Sequence, residues 1–141
     1  MRNIIFILFL LSGSISSAQN NVLSKNDVVF ESAALDRQPE YPGGITAFYK
    51  FVQYNFRAPD VTVDMTLKIY FTFVIEKDGT ISNISSTNDP GHGIREEGIR
   101  ILGLVKEKWV PGMNDGVPVR SAYKFPIVLN IAGAGQTEKN D

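Results

Sequence analysis

Leu67-Lys68-Ile69-Tyr70-Phe71-Thr72-Phe73-Val74-Ile75, running into Glu76-Lys77-Asp78-Gly79-Thr80, is the stretch from which the fold is read. Leu67, Ile69, Phe71, Phe73 and Ile75 alternate with Lys68, Tyr70, Thr72 and Val74, a period of two that specifies a strand with one fully apolar face. Asp78-Gly79 then marks a hairpin turn, because both residues tolerate the positive φ that tight hairpins require. The partner strand covers Thr80 to about Thr87. Its apolar residues Ile81 and Ile84 differ in parity, so strict alternation fails there, and a β-bulge is one explanation.

Outward from this hairpin the period changes to that of a helix on both sides. Upstream, Pro42-Gly43-Gly44 breaks the chain, and Ile45, Phe48, Phe51, Val52 and Phe56 share one face of a helix over 44–55 that stops before Pro59. Downstream, the loop Asn88-Asp89-Pro90-Gly91-His92-Gly93 leads into a helix over 94–106, with Ile94, Ile101, Leu102 and Val105 on one face. Gly98 inside it costs about 1 kcal/mol against Ala and therefore marks close packing on the sheet. After a turn at Asn114-Asp115-Gly116, a long strand runs over 117–131. The order α-β-β-α-β predicts an α+β domain over 39–132, a three-stranded antiparallel sheet with two helices packed on one face. Pro126 cannot donate to a ladder, so the last strand is expected at a sheet edge, where a partner can add a strand.

The chain of 141 residues is short enough for one domain and long enough to bury a core, and 43% hydrophobic with 21% charged residues is a globular composition. A net charge of −1 and scattered basic residues speak against a nucleic-acid partner. The absence of cysteine removes disulfides, thiolate metal sites, cysteine nucleophiles and a lipid anchor on Cys. At the start, Arg2 precedes the apolar run Ile4–Leu11, and Ser16-Ser17-Ala18 supplies small residues at the −3 and −1 positions. This layout predicts a secretory signal peptide over 1–18, cleaved after Ala18, and hence an exported protein. The alternative is an uncleaved inner-membrane anchor facing the periplasm. Eight apolar residues reach only about 12 Å as a helix against a hydrocarbon core of roughly 30 Å. Residues 19–38 read as a flexible lead-in holding at most a short strand at Val28-Val29-Phe30, and residues 133–141 as a disordered tail.

Catalytic constellations are not found. His92 is the sole histidine, in a Gly-rich loop, and reads as a solvated loop residue. Adjacent Glu96 and Glu97 do not face each other on a helix and suit its first turn. Ser85-Ser86-Thr87 has no base near it in sequence. The glycine runs lack the phosphate-binding spacing, so neither a cofactor nor a small-molecule substrate is expected. Trp109 reads as a core residue. Tyr41, Tyr54 and Tyr70 are candidates for a binding face or for packing.

Several short motifs in this order form a resemblance. Glu40-Tyr41-Pro42-Gly43-Gly44 and Phe56-Arg57-Ala58-Pro59 are similar to the opening of the C-terminal domains of TonB-type energy transducers. So are the hairpin Phe71 to Ile81 and the helix start Ile94-Arg95-Glu96-Glu97-Gly98-Ile99-Arg100. Trp109-Val110-Pro111-Gly112, Asn114-Asp115-Gly116-Val117-Pro118-Val119 and Tyr123-Lys124-Phe125-Pro126-Ile127 resemble the family's closing motifs. The resemblance covers residues 39–131. It implies a periplasmic domain in TonB-dependent transport that grips outer-membrane receptors by adding a short receptor segment, the TonB box, as a strand beside its last strand. The implied contact strip is Val119, Arg120, Ser121, Ala122, Tyr123, Lys124, Phe125, Pro126, Ile127, Val128, Leu129, Asn130 and Ile131. The competing readings are a structural or adaptor protein that pairs the same edge with a second copy of itself, and an enzyme.

Overall fold

A computed structural model of the chain describes residues 28–134; the expected signal peptide, residues 19–27 of the expected lead-in and residues 135–141 of the expected tail lie outside the described residues. The protein is an α+β domain with two helices and a four-stranded sheet in the order β1-β6-β2-β3. These strands are β1 (Val29–Glu31), β2 (Met65–Ile75), β3 (Ile81–Ser86) and β6 (Arg120–Ile131). The helices are α1 (Gly44–Asn55) and α2 (Ile94–Gly103), and β4 (Met113–Asn114) pairs with β5 (Val117–Pro118) in a separate small hairpin.

The period-two stretch forms β2 as its pattern requires. Ile69, Phe71, Phe73 and Ile75 are buried, and the neighbouring β6 contributes Phe125 and Ile131 to the same core. Both helices cover this face. Phe48 of α1 packs on Phe125 and Phe73, with ring centroids 4.7 and 6.1 Å apart. In α2, Gly98 lies so close to Phe71 that an added Cβ would stand 2.0 Å from its ring, which is the close packing its place in a helix predicts. Trp109 is buried among Tyr41, Phe48, Phe73 and Tyr123, a core residue as its size suggests. The two helices are also clamped to each other: Glu97 accepts from the Arg57 N–H at 2.8 Å, while Arg100 pairs with Glu97 and donates to the Asn55 carbonyl at 2.7 Å.

The sheet departs from the expected three antiparallel strands. β2, β3 and β6 are antiparallel, but β1 joins β6 in parallel, with Val29, Phe30 and Glu31 opposite Arg120, Ser121 and Ala122, so the sheet is mixed. β1 overlaps the short strand expected at Val28-Val29-Phe30, one residue further on, but its place beside β6 is set by long-range pairing that no local periodicity announces. With it, residues 28–38 leave the role of lead-in and join the fold. Leu35 is buried, a 3-10 turn spans Ser32–Ala34, and Arg37 and Glu40 bridge to Met113 and Val110. At the other end, Gly133 and Ala134 are held by Asp64 and the Val61 carbonyl.

The turns also differ in detail. The bulge in β3 is present: two residues separate Ser82 from Ser85 where one separates Val74 from Thr72, and Asn83 takes φ 49°. At Asp78-Gly79 only Gly79 has positive φ. Asp78 instead accepts from the Thr80 N–H and hydroxyl, which makes a longer turn with a glycine bulge. The tight turn with two positive φ values is at Asp115-Gly116, between β4 and β5. α2 ends at Gly103, three residues short of the expected Lys106.

Candidate functional site: the open edge of the last strand

Neighbouring residues in a strand turn their N–H and C=O to opposite sides, so one observed bond fixes the orientation of the whole strand. Tyr70 accepts from the Thr87 N–H and donates to the Asn88 side chain, both at 3.0 Å, so its main chain faces β3. Its opposite residue in β6 is Pro126, whose N and C=O therefore point away from β2. Two bonds agree: the Pro126 carbonyl accepts from the Tyr49 hydroxyl at 3.2 Å, and the Ala122 carbonyl accepts from the Ser32 hydroxyl at 2.5 Å. The even-numbered residues of β6 thus present their main chain to the free side and the odd-numbered ones to β2. Pro126 is tolerated because its missing N–H would have pointed outward.

This parity divides the strip into two parts. Over Arg120, Ser121 and Ala122 the edge is closed by β1, so in this segment the last strand is not an edge. Val119 is tied to the Gly112 carbonyl. Arg120 forms a two-point ion pair with Glu76 at 2.7 and 3.0 Å, and Ser121 is fully buried. From Lys124 onward, no strand among the described residues lies on the outer side. Lys124, Val128 and Asn130 present both N–H and C=O there, and Pro126 only its C=O. The opposite edge of the sheet, β3, is interrupted by the bulge at Asn83 and is a poorer template for pairing.

Beside the open segment runs a groove of about 660 Å³. Ile127, Leu129 and Ile131 form its sheet side, and Tyr49, Val52, Gln53, Phe56, Ala58 and Pro59 form the wall that α1 and the following turn provide. The Tyr49 ring is seated on Phe125 at 4.8 Å, which sets its hydroxyl over the strand. A chain lying along this edge would find main-chain partners every second residue of β6. Alternate side chains of that chain would enter an apolar groove, the two requirements of recognition by strand addition.

The thirteen residues of the expected strip therefore fall into three sets. Val119, Arg120, Ser121 and Ala122 are engaged within the fold. Tyr123, Phe125, Ile127, Leu129 and Ile131 bond to β2 and face the helices, and burial raises the Tyr123 hydroxyl above its ordinary pKa. Lys124, Pro126, Val128 and Asn130 carry the outward main chain. The helical wall, Tyr49 above all, was not among the site residues expected from sequence. Phe56 and Val52 were legible only as an apolar helix face, and nothing local places that face beside an edge. Of the tyrosines singled out, Tyr41 is buried, Tyr54 is solvated, and Tyr70 lies on the helix-free face of the sheet; none lines the groove.

Elsewhere the described residues hold no group of three or more His, Asp or Glu side chains placed to bind a metal ion. His92 is exposed with φ 55°. No described helix is long and apolar enough to cross a membrane. Searches against protein-family models, curated proteins and solved structures each found no match.

Proposed function

We propose that this domain is a periplasmic protein-binding module that takes an extended segment of another protein as an added strand along Lys124–Ile131. The segment that the sequence resemblance suggests is the TonB box of an outer-membrane receptor, which gives the domain a part in TonB-dependent transport. One observation supports the reading most: the outward main chain of Lys124, Val128 and Asn130 runs beside an apolar groove on the helix side. Neither feature alone suffices. An open edge without a groove gives pairing without selectivity, and a groove without an edge gives no register.

The test is fluorescence anisotropy of labelled TonB-box peptides titrated with residues 19–141, beside sedimentation of the protein alone over a range of concentrations. Saturable binding by a monomeric protein supports the proposal. Concentration-dependent dimers that exclude the peptide would move the edge to self-association, the competing use of the same unpaired groups. No binding at millimolar concentrations from a protein that stays monomeric would remove the receptor role.

A further inference from the structure

The open edge contains a defect in its ladder. Any chain added beside β6, in either direction, pairs through alternate residues and presents a C=O to each outward N–H. At Pro126 that N–H does not exist, so one carbonyl of the incoming chain would be left without a donor. An unsatisfied carbonyl at a closing interface works against binding. The side chain that reaches this point of the outward main chain is Tyr49, whose hydroxyl donates to the carbonyl of the same Pro126 at 3.2 Å.

We propose, resting on the strand-addition reading above, that the Tyr49 hydroxyl substitutes for the missing Pro126 N–H. In the free domain it satisfies the Pro126 carbonyl. When a chain is added, an N–H of that chain donates to the Pro126 carbonyl, and the displaced hydroxyl turns to donate to the carbonyl that Pro126 cannot serve. The ladder is then continuous across the proline, with one donor supplied from α1. The arrangement suits this purpose. The ring is anchored on Phe125 at 4.8 Å while the residue stays 42% exposed, so the hydroxyl is positioned without being locked away. Proline guards the edge against indiscriminate pairing, as it does on other exposed edges. Tyr49 restores the lost bond to a chain that lies along this segment of β6, and is thus a binding residue that offsets the penalty at Pro126.

The experiment is a double-mutant cycle with Tyr49→Phe and Pro126→Ala, read by the same labelled peptides and by urea unfolding of each free protein. Tyr49→Phe removes only the hydroxyl and leaves the ring on Phe125. It is expected to leave the urea midpoint near wild type and to weaken the peptide about 2-fold to 10-fold, the worth of one hydrogen bond. Pro126→Ala restores the N–H, so in that background Tyr49→Phe should cost less than about 2-fold. The surrogate-donor proposal is overturned, and strand addition stands, if the wild type binds and Tyr49→Phe binds equally well. The same holds if Tyr49→Phe weakens binding as much in the Pro126→Ala background as in the wild-type one. If the wild type does not bind at all, both are overturned.

Discussion

Two prolines introduced at adjacent positions of β6 should have opposite effects. Val128 turns its N–H outward and Leu129 turns its N–H to β2, by the parity that Tyr70, Pro126 and Tyr49 establish. Val128→Pro therefore removes no bond of the free domain and repeats what Pro126 already does two residues earlier. The side chain at 128 is 54% exposed, so little burial is lost. The proline also restricts the unfolded chain, and the net change should lie within about 1 kcal/mol of wild type. Leu129→Pro breaks a ladder bond, leaves a Leu67 carbonyl of β2 unpaired inside the sheet, and brings a ring against that strand. The expected loss is about 2–4 kcal/mol. At about 4 °C per kcal/mol for a domain of this size, the two variants should melt roughly 10 °C apart. The sole tryptophan, buried in the core, makes its fluorescence a direct reporter of unfolding. Val128→Pro should in addition abolish strand addition while the fold persists, because two outward N–H groups in succession are then missing. Equal destabilisation by the two variants would refute the parity and with it the assignment of the open edge.

Gly98→Ala gains about 1 kcal/mol of helix propensity, yet its methyl would stand 2.0 Å from the ring of a fully buried Phe71. Overpacking wins, with a net loss of about 1–2 kcal/mol in urea unfolding that shrinks in a Phe71→Leu background. Ser121→Ala should be neutral or stabilising by up to about 1 kcal/mol, since the buried hydroxyl has no hydrogen-bond partner among the described residues to lose; a clear loss would mean that it has one. Glu76 and Glu97 are both held below their ordinary pKa of 4.5, first by hydrogen bonds from Arg120 and Arg100 respectively. Their folded pKa values lie below the unfolded ones, so their contribution is present above about pH 4.5 and is lost as the pH falls through the folded values. Urea midpoints should drop from about pH 7 to about pH 3, and replacing both residues with Gln should flatten that drop.

The legibility of the fold followed the range of its interactions. β2 was plain because its alternation is local. Gly98 was plain because a glycine inside an amphipathic helix costs stability that close packing must offset. The bulge in β3 was legible from the parity conflict between Ile81 and Ile84. β1 was legible only as a short strand at Val28-Val29-Phe30, and its place in the sheet was not, since it is held by parallel pairing with a strand about ninety residues away. The two Asp-Gly pairs look alike in sequence but differ in the fold. An added Cβ on Gly79 would meet the Trp109 carbonyl at 2.1 Å, and the Asp78 carboxylate accepts from Thr80, whereas at Asp115-Gly116 a Cβ on Gly116 would meet nothing among the described residues within 4 Å and the Asp115 N–H donates to the Asp36 carboxylate. For the site, Pro126 did indicate an edge, because a proline within a strand must face one. That the edge opens only after Ala122, and that Tyr49 and Phe56 wall it, depends on where β1 and α1 settle on the sheet. No local pattern records either placement.

The most direct test of the central claim is an amide-resolved NMR titration of residues 19–141 with TonB-box peptides, combined with hydrogen exchange. The free protein should show rapid exchange at Lys124, Val128 and Asn130 and slow exchange at Phe125, Ile127 and Leu129. Binding should slow the first three and shift the resonances of Tyr49, Val52 and Phe56 in the groove wall. No shifts at millimolar peptide, or shifts confined to β3 or to the helix-free face of the sheet, would contradict strand addition at β6.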